Sequence, residues 1–282
     1  MIIDGRRIAD TIKRRLVREV ADFSRVPEVA LIQVGNHPAI DSYVRIKSRF
    51  AKAIGVGLMH KRLDAGATTE DVLAEIDLVV RSEHQDGSRR YDGLIVQLPL
   101  PDHIDTDRVL AAIPRELDSD VLSPAAAKAA AEDGVLPPVA GAVRAILRDL
   151  RVNPAELGVV VVGQGKLVGQ PVIDWLRAQG IDPVVVTETD GDLAAALQHN
   201  YVVITGVGSP HLITPEMVSA KHVLIDAGTS ESSGVVVGDI SPDCAAIVRA
   251  MTPVPGGVGP ITIAILFQNL VTRLQSKYAD EA

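Results

Sequence analysis

The sequence predicts an α/β fold in two domains, and three observations carry that expectation. Short apolar runs alternate with segments of helical periodicity, as in βαβ units built around a mostly parallel sheet. An alanine-rich stretch followed by Leu136-Pro137-Pro138 separates two patterned halves. The second half opens with the valine run Val159 to Val162, which leads directly into a glycine-rich turn.

In chain order, Ile8, Ile12, Leu16 and Val20 recur every four residues behind Asp4 and Gly5, the pattern of an amphipathic helix with a polar start. Val29 to Val34 reads as a buried strand. From Ala39 to Gly55, Ile40, Tyr43, Lys47, Phe50 and Ile54 fall at steps of three and four and share one helical face. Thr68 and Asp71 have the spacing of a capping box ahead of Val72, Ile76 and Val79. Leu94 to Leu98 reads as a strand that runs into Pro99 and Pro101. Beyond the alanines, strands are expected at Val159 to Val162, Val184 to Val186, Val202 to Ile204 and Val223 to Ile225. A final helix is expected over Ile261 to Leu274. The predicted domains are 1–138 joined by a returning helix within 261–282, and 139–260.

Bulk composition narrows the function. With 282 residues, 47% of them hydrophobic, the chain can bury a sizeable core. Its formal net charge is −8 with both signs interspersed, which argues against neutralising nucleic-acid phosphates and favours small-molecule partners. One cysteine, Cys244, precludes an intrachain disulfide framework or a multi-cysteine zinc site and fits a reducing, cytoplasmic setting. Residues 1–20 are studded with charges and leave no signal-peptide core, and no stretch is apolar enough to span a bilayer. No histidine stands at metal-ligand spacing from the acidic residues singled out below, so no metal is expected.

Two places carry chemistry. Gly163-Gln164-Gly165-Lys166-Leu167-Val168-Gly169 follows a strand and precedes an apolar helix, so backbone N–H groups and a helix dipole can face a pyrophosphate. Glycines in such a turn also serve tight chain packing alone. Glu188 follows Gly163 by about 25 residues, near the roughly 20-residue offset of an acid that binds the adenosine ribose. A carboxylate there accepts from a 2′-hydroxyl and repels a 2′-phosphate, which favours NAD over NADP. The other reading of Glu188 is a solvated strand end.

The second place is Lys47. On an apolar stripe one turn from Tyr43, it is a candidate acid/base, since partial desolvation makes an ammonium readier to move protons; alternatively it snorkels to water. Gln97 interrupts the apolar run from Gly93 to Leu98 near its C-terminal end, where α/β sheets gather ligands. It either orients a neighbouring amine or satisfies core backbone groups. Asp118 and Asp120 lie in an expected loop.

Four segments together resemble the bifunctional methylenetetrahydrofolate dehydrogenase/methenyltetrahydrofolate cyclohydrolase family: Asp4-Gly5 with the following helix, Tyr43-Val44 with Lys47, Asp92-Gly93-Leu94-Ile95-Val96-Gln97-Leu98-Pro99-Leu100-Pro101, and Thr252-Pro253-Val254-Pro255-Gly256-Gly257-Val258-Gly259-Pro260. The resemblance covers nearly the whole chain. It implies an N-terminal folate-binding catalytic domain, a C-terminal Rossmann-like dinucleotide domain and a homodimer formed through the latter, with the apolar run Val235 to Val237 at the interface. It implies that Lys47 is the acid/base of the cyclohydrolase step, that Tyr43 stacks on the folate, that Gln97 tunes Lys47 and that Asp120 binds the pterin edge. Pro253, Gly256 and Gly257 would border the cleft between folate and nicotinamide, and the glycines would let backbone approach a planar ligand. Gly163, Gln164, Gly165, Lys166, Gly169 and Glu188 would bind NAD or NADP, with tetrahydrofolate as the substrate carrier.

The sequence also departs from the family's pattern. Its Asp-Val-Asp-Gly is Asp118-Ser119-Asp120-Val121 here, its Pro-Cys-Thr-Pro is Leu136-Pro137-Pro138-Val139, and the serine expected three residues before the tyrosine is Ile40. The arginine and serine that meet a 2′-phosphate are Gln164 and Gly165. Either the cofactor is NAD, or dehydrogenase activity is weakened and a monofunctional cyclohydrolase remains. A dehydrogenase for another small substrate would leave Gln97-Leu98-Pro99 and the Pro253 to Pro260 loop as coincidences, and Lys47 on the buried stripe speaks against a non-catalytic dinucleotide sensor, because a lysine costs stability there unless it is used or solvated.

Overall fold

The computed structural model describes residues 1–189, 191–232 and 235–280. Its residues form two compact units: Thr11–Pro137 with the chain from Ile263 onward, and Met1–Asp10 with Pro138–Thr262. The first ten residues thus group with the second half of the chain, not with the first domain of the sequence reading. Two contacts explain the grouping. Ile2 bridges Met251, and a Cβ on Gly5 would lie 1.7 Å from the carbonyl oxygen of Gly257, so the two backbones abut with no room for a side chain.

From the N-terminus the elements are α1 (Gly5–Ala21), β1 (Glu28–Val34), α2 (Pro38–Ile54), β2 (Gly57–Leu63), α3 (Thr69–Arg81), β3 (Gly93–Val96), α4 (Thr106–Ala111) and α5 (Pro124–Ala129). The strands make a parallel sheet of order β2-β1-β3. Alternate residues of β1 face opposite layers. Ala30, Ile32 and Val34 pack with Val72, Ile76 and Val79 of α3 and Val109 of α4. Val29 and Leu31 pack with Leu16 and Val20 of α1, Val44 and Ile54 of α2, and Phe267 of the last helix, whose ring stacks on Phe50 at 5.5 Å. The capping box at Thr68 forms as expected, with Thr68 accepting from the Asp71 N–H and Asp71 from the Thr68 N–H.

Strand β2 has no counterpart in the sequence reading, because its centre is His60-Lys61-Arg62 and its outer edge is exposed. β3 ends at Val96 instead of Leu98. Gln97 still donates its N–H to Ile32 O at 2.8 Å, but Pro99 has no N–H to carry the ladder on.

The second unit contains α6 (Pro138–Asp149), α7 (Pro154–Leu157), β4 (Val159–Val162), α8 (Gly169–Ala178), β5 (Val184–Val186), α9 (Leu193–His199), β6 (Val202–Thr205), β7 (Val223–Asp226), β8 (Ser230–Ser232), β9 (Val235–Val237) and β10 (Ala250–Met251). Five of its strands form a parallel sheet of order β10-β7-β6-β4-β5, and β8 and β9 pair as a separate antiparallel ribbon. Valines of β4 and β6 are fully enclosed. These near-continuous apolar runs are what a parallel sheet covered on both faces requires. The last helix, α10, covers Val258–Asp280, longer at both ends than Ile261 to Leu274. Among the described residues, no helix is long and apolar enough to cross a membrane.

Candidate active site

Lys47 lies three turns into α2, which follows β1 and therefore starts at the C-terminal end of that strand. The helix turns Val44, Ala51 and Ile54 into the core, with Ile40 and Phe50 partly buried beside them. Tyr43 looks outward and is 42% exposed, whereas the Lys47 side chain keeps only 12% of its surface. Lys47 does not snorkel: its ammonium stands 3.8 Å from a carboxylate oxygen of Asp120, itself largely enclosed. In an ion pair of this kind, screened from water on most sides, the attraction is stronger than in a surface pair but is offset by desolvation, and removing either partner leaves an uncompensated charge.

Asp120 is presented by a loop running beside β3. Leu94 donates its N–H to Leu117 O at 2.7 Å, and Asp118, 1% exposed, accepts from Leu122 N–H at 2.9 Å and Ser123 N–H at 2.6 Å through one carboxylate oxygen. Its other oxygen has no partner, and burial raises the carboxyl's pKa. Helix α10 grips the same loop: Asn269 Nδ2 donates to Ser119 O at 3.0 Å, and Arg273 Nη1 donates to Asp118 O. Arg273 also donates to Asp133 at 3.3 Å, and Arg115 holds the second oxygen of Asp133 at 2.5 Å. Val121 closes the bend at φ 55, the left-handed region that costs an L-residue about 1–2 kcal/mol. Its side chain is buried with Ala126, Ala130 and Val135.

Gln97, 8% exposed, follows the last residue of β3. Its Nε2 donates to Leu98 O at 2.6 Å and its Oε1 is buried without a partner. A buried acceptor with no donor is expensive unless a ligand or water completes it. At the C-terminal end of the sheet the structure thus holds Lys47, Asp120 and Gln97 within one unit, and it joins the first two directly. No sequence signal pointed to Asn269 or Arg273, which read as two ordinary polar positions among several in a long helix.

In the second unit the turn after β4 is built as a cradle. Gly163 has φ 88 and donates its N–H to Val186 O at 2.8 Å, two residues before the exposed Glu188. A Cβ on Gly169 would lie 2.0 Å from Gly163 O, so that position admits only glycine, whereas Gly165 faces open space. No side chain caps the start of α8. Gln164 and Lys166 are exposed on the same turn; Gln164 donates to Gln170, which donates to Asp174. Gln170 already donates its N–H to Gly165 O at 3.1 Å and Pro171 has none, so an anionic phosphate group is met by the open glycine-rich turn more than by the first N–H groups of the helix.

Past β6 and β7, two enclosed aspartates fix the neighbouring loops. Asp239 accepts from the Thr205 hydroxyl and from the N–H groups of Val207 and Ser209 at 2.7–2.9 Å. Asp226 accepts from Gly228 and Ile240 N–H at 3.0 and 2.9 Å, and burial pushes its carboxyl up to about 6. Pro253, Gly256 and Gly257 belong to this unit, with Gly256 at φ 108. The sequence reading gave these glycines to a planar ligand. A Cβ on Gly257 would lie 2.6 Å from Pro253 O and from the Thr252 side chain, so the chain's own turn demands glycine there with or without a ligand.

Residues 3–120 match the family model described as tetrahydrofolate dehydrogenase/cyclohydrolase, catalytic domain, and residues 137–278 match tetrahydrofolate dehydrogenase/cyclohydrolase, NAD(P)-binding domain. The chain is 33% identical over 277 residues to the bifunctional protein FolD of Exiguobacterium sibiricum, covering 96% of this chain and 98% of that one. Among solved structures, it superposes with a TM-score of 0.90 and 31% identity on the Trypanosoma brucei methylenetetrahydrofolate dehydrogenase-cyclohydrolase complexed with NADP and an inhibitor, over 99% and 98% of the two chains. A 5,10-methylenetetrahydrofolate dehydrogenase from the silkworm Bombyx mori gives a TM-score of 0.87 at 32% identity, over 99% of each chain.

Proposed function

We propose, since the chain belongs to the tetrahydrofolate dehydrogenase/cyclohydrolase family, that it oxidises 5,10-methylenetetrahydrofolate to the 5,10-methenyl form and hydrolyses that product to 10-formyltetrahydrofolate. The single observation that carries the reading is the enclosed Lys47–Asp120 pair at the C-terminal end of the sheet. In this reading the unit built on β1–β3 binds the folate, and the five-stranded unit binds the dinucleotide.

Asp120 hydrogen-bonds the pterin edge, which draws it from Lys47 and leaves the lysine amine free to exchange a proton. Tyr43, exposed one turn earlier on α2, stacks on the folate. The buried Gln97 Oε1, which lacks a donor, accepts from the lysine amine and orients it. Water adds to the methenyl carbon, Lys47 takes a proton from that water and returns it to the ring nitrogen, and the carbon–nitrogen bond opens as the new hydroxyl releases its remaining proton to solvent and becomes the formyl carbonyl. The preceding hydride transfer asks for orientation more than for an acid or base. The nicotinamide cofactor, when bound, supplies the hydride acceptor.

The Gly163–Gly169 turn and the start of α8 hold the pyrophosphate, with Gln164, Gly165 and Lys166 beside it. Glu188 takes the ribose 2′-hydroxyl. With glutamine and glycine at 164 and 165 and a carboxylate at 188, the preferred cofactor is NAD. Pro253, Gly256 and Gly257 border the nicotinamide end of the site. The protein acts as a homodimer through the five-stranded unit, a reading supported by the half-exposed Val236 of the β8–β9 ribbon.

The test follows reduced cofactor and methenyl absorbance with 5,10-methylenetetrahydrofolate and NAD or NADP. NAD-preferring reduction is expected, and Lys47→Met is expected to stop methenyl hydrolysis while a hydride step persists. Lys47-dependent hydrolysis without reduction by either cofactor would support the monofunctional cyclohydrolase. Silence in both assays would overturn the reading.

A further inference from the structure

The segment that carries Asp120 is bent against the preference of its own residues. Val121 is β-branched and sits at φ 55, where such side chains are rare. A conformation of that kind persists only where its surroundings over-determine it. β3 holds Leu117 on one side, and the Asp118 carboxylate ties down the N–H groups of Leu122 and Ser123. The first contact comes from the neighbouring strand and the second from within the loop.

The remaining grip comes from far along the sequence. Asn269 holds Ser119 O and, through the same amide, Leu136 O at 2.8 Å; one turn later Arg273 holds Asp118 O. Val121 donates its own N–H to that same Asp118 O at 3.2 Å, so the arginine and the strained residue meet at one oxygen. Arg273 keeps only 9% of its side-chain surface, and its Nε is buried with no partner. Enclosing a guanidinium with one donor unsatisfied is unfavourable as packing alone, so its placement calls for a gain elsewhere. Asp133, braced by Arg115, compensates the charge and fixes the direction of the guanidinium.

We propose that Arg273, with Asn269 one turn before it, is a positioning residue for the folate chemistry: by holding the carbonyls of Asp118 and Ser119 it keeps the Val121 bend left-handed and so aims Asp120 at Lys47. The proposal rests on the reading of Asp120 as the acid that binds the substrate. Neither Arg273 nor Asn269 touches the reacting atoms in this scheme. Their effect is on how well the folate is held.

The experiment measures KM and kcat for methenyltetrahydrofolate hydrolysis, with dinucleotide affinity as an internal control, in Arg273→Met, Arg273→Lys, Asn269→Ala and Asp120→Asn. Arg273→Met is expected to raise KM for the folate roughly tenfold while leaving dinucleotide affinity unchanged. Arg273→Lys, which can still donate to the carbonyl, should recover most of that loss. In a Val121→Gly background, where the bend forms unaided, Arg273→Met should raise KM by no more than about threefold.

An unchanged folate KM in Arg273→Met, with only a lower melting temperature, would overturn the proposal, as would the same rise in KM with Gly at 121 as with Val. Should Arg273→Met fail to fold, Asn269→Ala decides: a raised folate KM upholds the grip, and an unchanged one removes it. Asp120→Asn separates the two levels. If it leaves KM unchanged, the reading of Asp120 is wrong; if it raises KM while Arg273→Met does not, only the present inference falls.

Discussion

The turn after β4 and the loop after Leu117 each bend the chain beside residues assigned to a ligand, and they are held by different means. In the first, glycine fills the positions with no space: Gly169 abuts Gly163 O, and Gly163 takes φ 88 without a steric penalty. In the second, a valine takes the left-handed bend and distant side chains keep it there. A bend made by glycine is written into a few consecutive residues. A bend made by leverage is spread over the 155 positions that separate Asp118 from Arg273.

The most severe way to break the contrast is Gly169→Ala. Its methyl would meet backbone, not the end of a flexible side chain, so the turn must open. We expect a loss of about 3 kcal/mol or more and failure to bind dinucleotide. Chemical unfolding and a cofactor titration read the two effects, and wild-type values in both would show that the turn is not rigid.

Asp118→Ala probes the other loop. It leaves the Leu122 and Ser123 N–H groups buried without an acceptor, at about 2–4 kcal/mol. Asp118→Asn keeps an oxygen for both donors and sets its amide nitrogen where the carboxylate oxygen already lacks a partner, so a change within about 1 kcal/mol is expected. Urea unfolding of the pair decides it. Equal losses would mean that the charge matters, not the cap.

A third expectation concerns pH, since the five-stranded unit also braces its loops with buried carboxylates. The Asp226 carboxyl is raised to about 6, so its contribution is fully present below pH 4 and is lost as pH rises through 6. The amount is about 2–3 kcal/mol. Asp133 runs the opposite way: hydrogen bonding from Arg115 lowers its pKa, so its contribution holds above pH 4 and is lost on acidification. The stability of the wild type relative to Asp226→Asn should therefore fall as pH goes from 4 to 7. A difference that does not vary with pH would remove Asp226 as the cause.

The smallest expected effect is that of Val121→Gly. Relief of the left-handed bend returns about 1–2 kcal/mol. Loss of the buried side chain and the added chain entropy of glycine take about 2–3 kcal/mol away. Burial wins, and a net loss of about 1 kcal/mol should appear in thermal unfolding. A gain would mean that strain outweighs packing at this position.

Legibility follows the same division. The Gly163–Gly169 turn, the capping box at Thr68 and the inward placement of Lys47 depend on neighbours within a few residues and could be read from the sequence. Asp120 was assigned through family resemblance, and its pairing with Lys47 is a contact between segments that no periodicity encodes. Strand β2 escaped notice because an edge strand with His60, Lys61 and Arg62 at its centre carries no apolar run. Asn269, 1% exposed, looks in sequence like any polar residue in a long helix, and only the packed structure shows it buried against two carbonyls.

The grip of α10 on the Asp120 loop also sets an order on synthesis. Asn269 and Ser119 are 150 residues apart, so the loop leaves the ribosome long before the helix that shapes it exists. At about 5–20 residues per second, that interval is roughly 8–30 s. Through it one face of the β1–β3 sheet lacks the α10 side chains that cover it, and Asp120 has no fixed direction. A nascent chain stopped before α10 should therefore bind no folate, and the site should appear abruptly on release of the full-length protein.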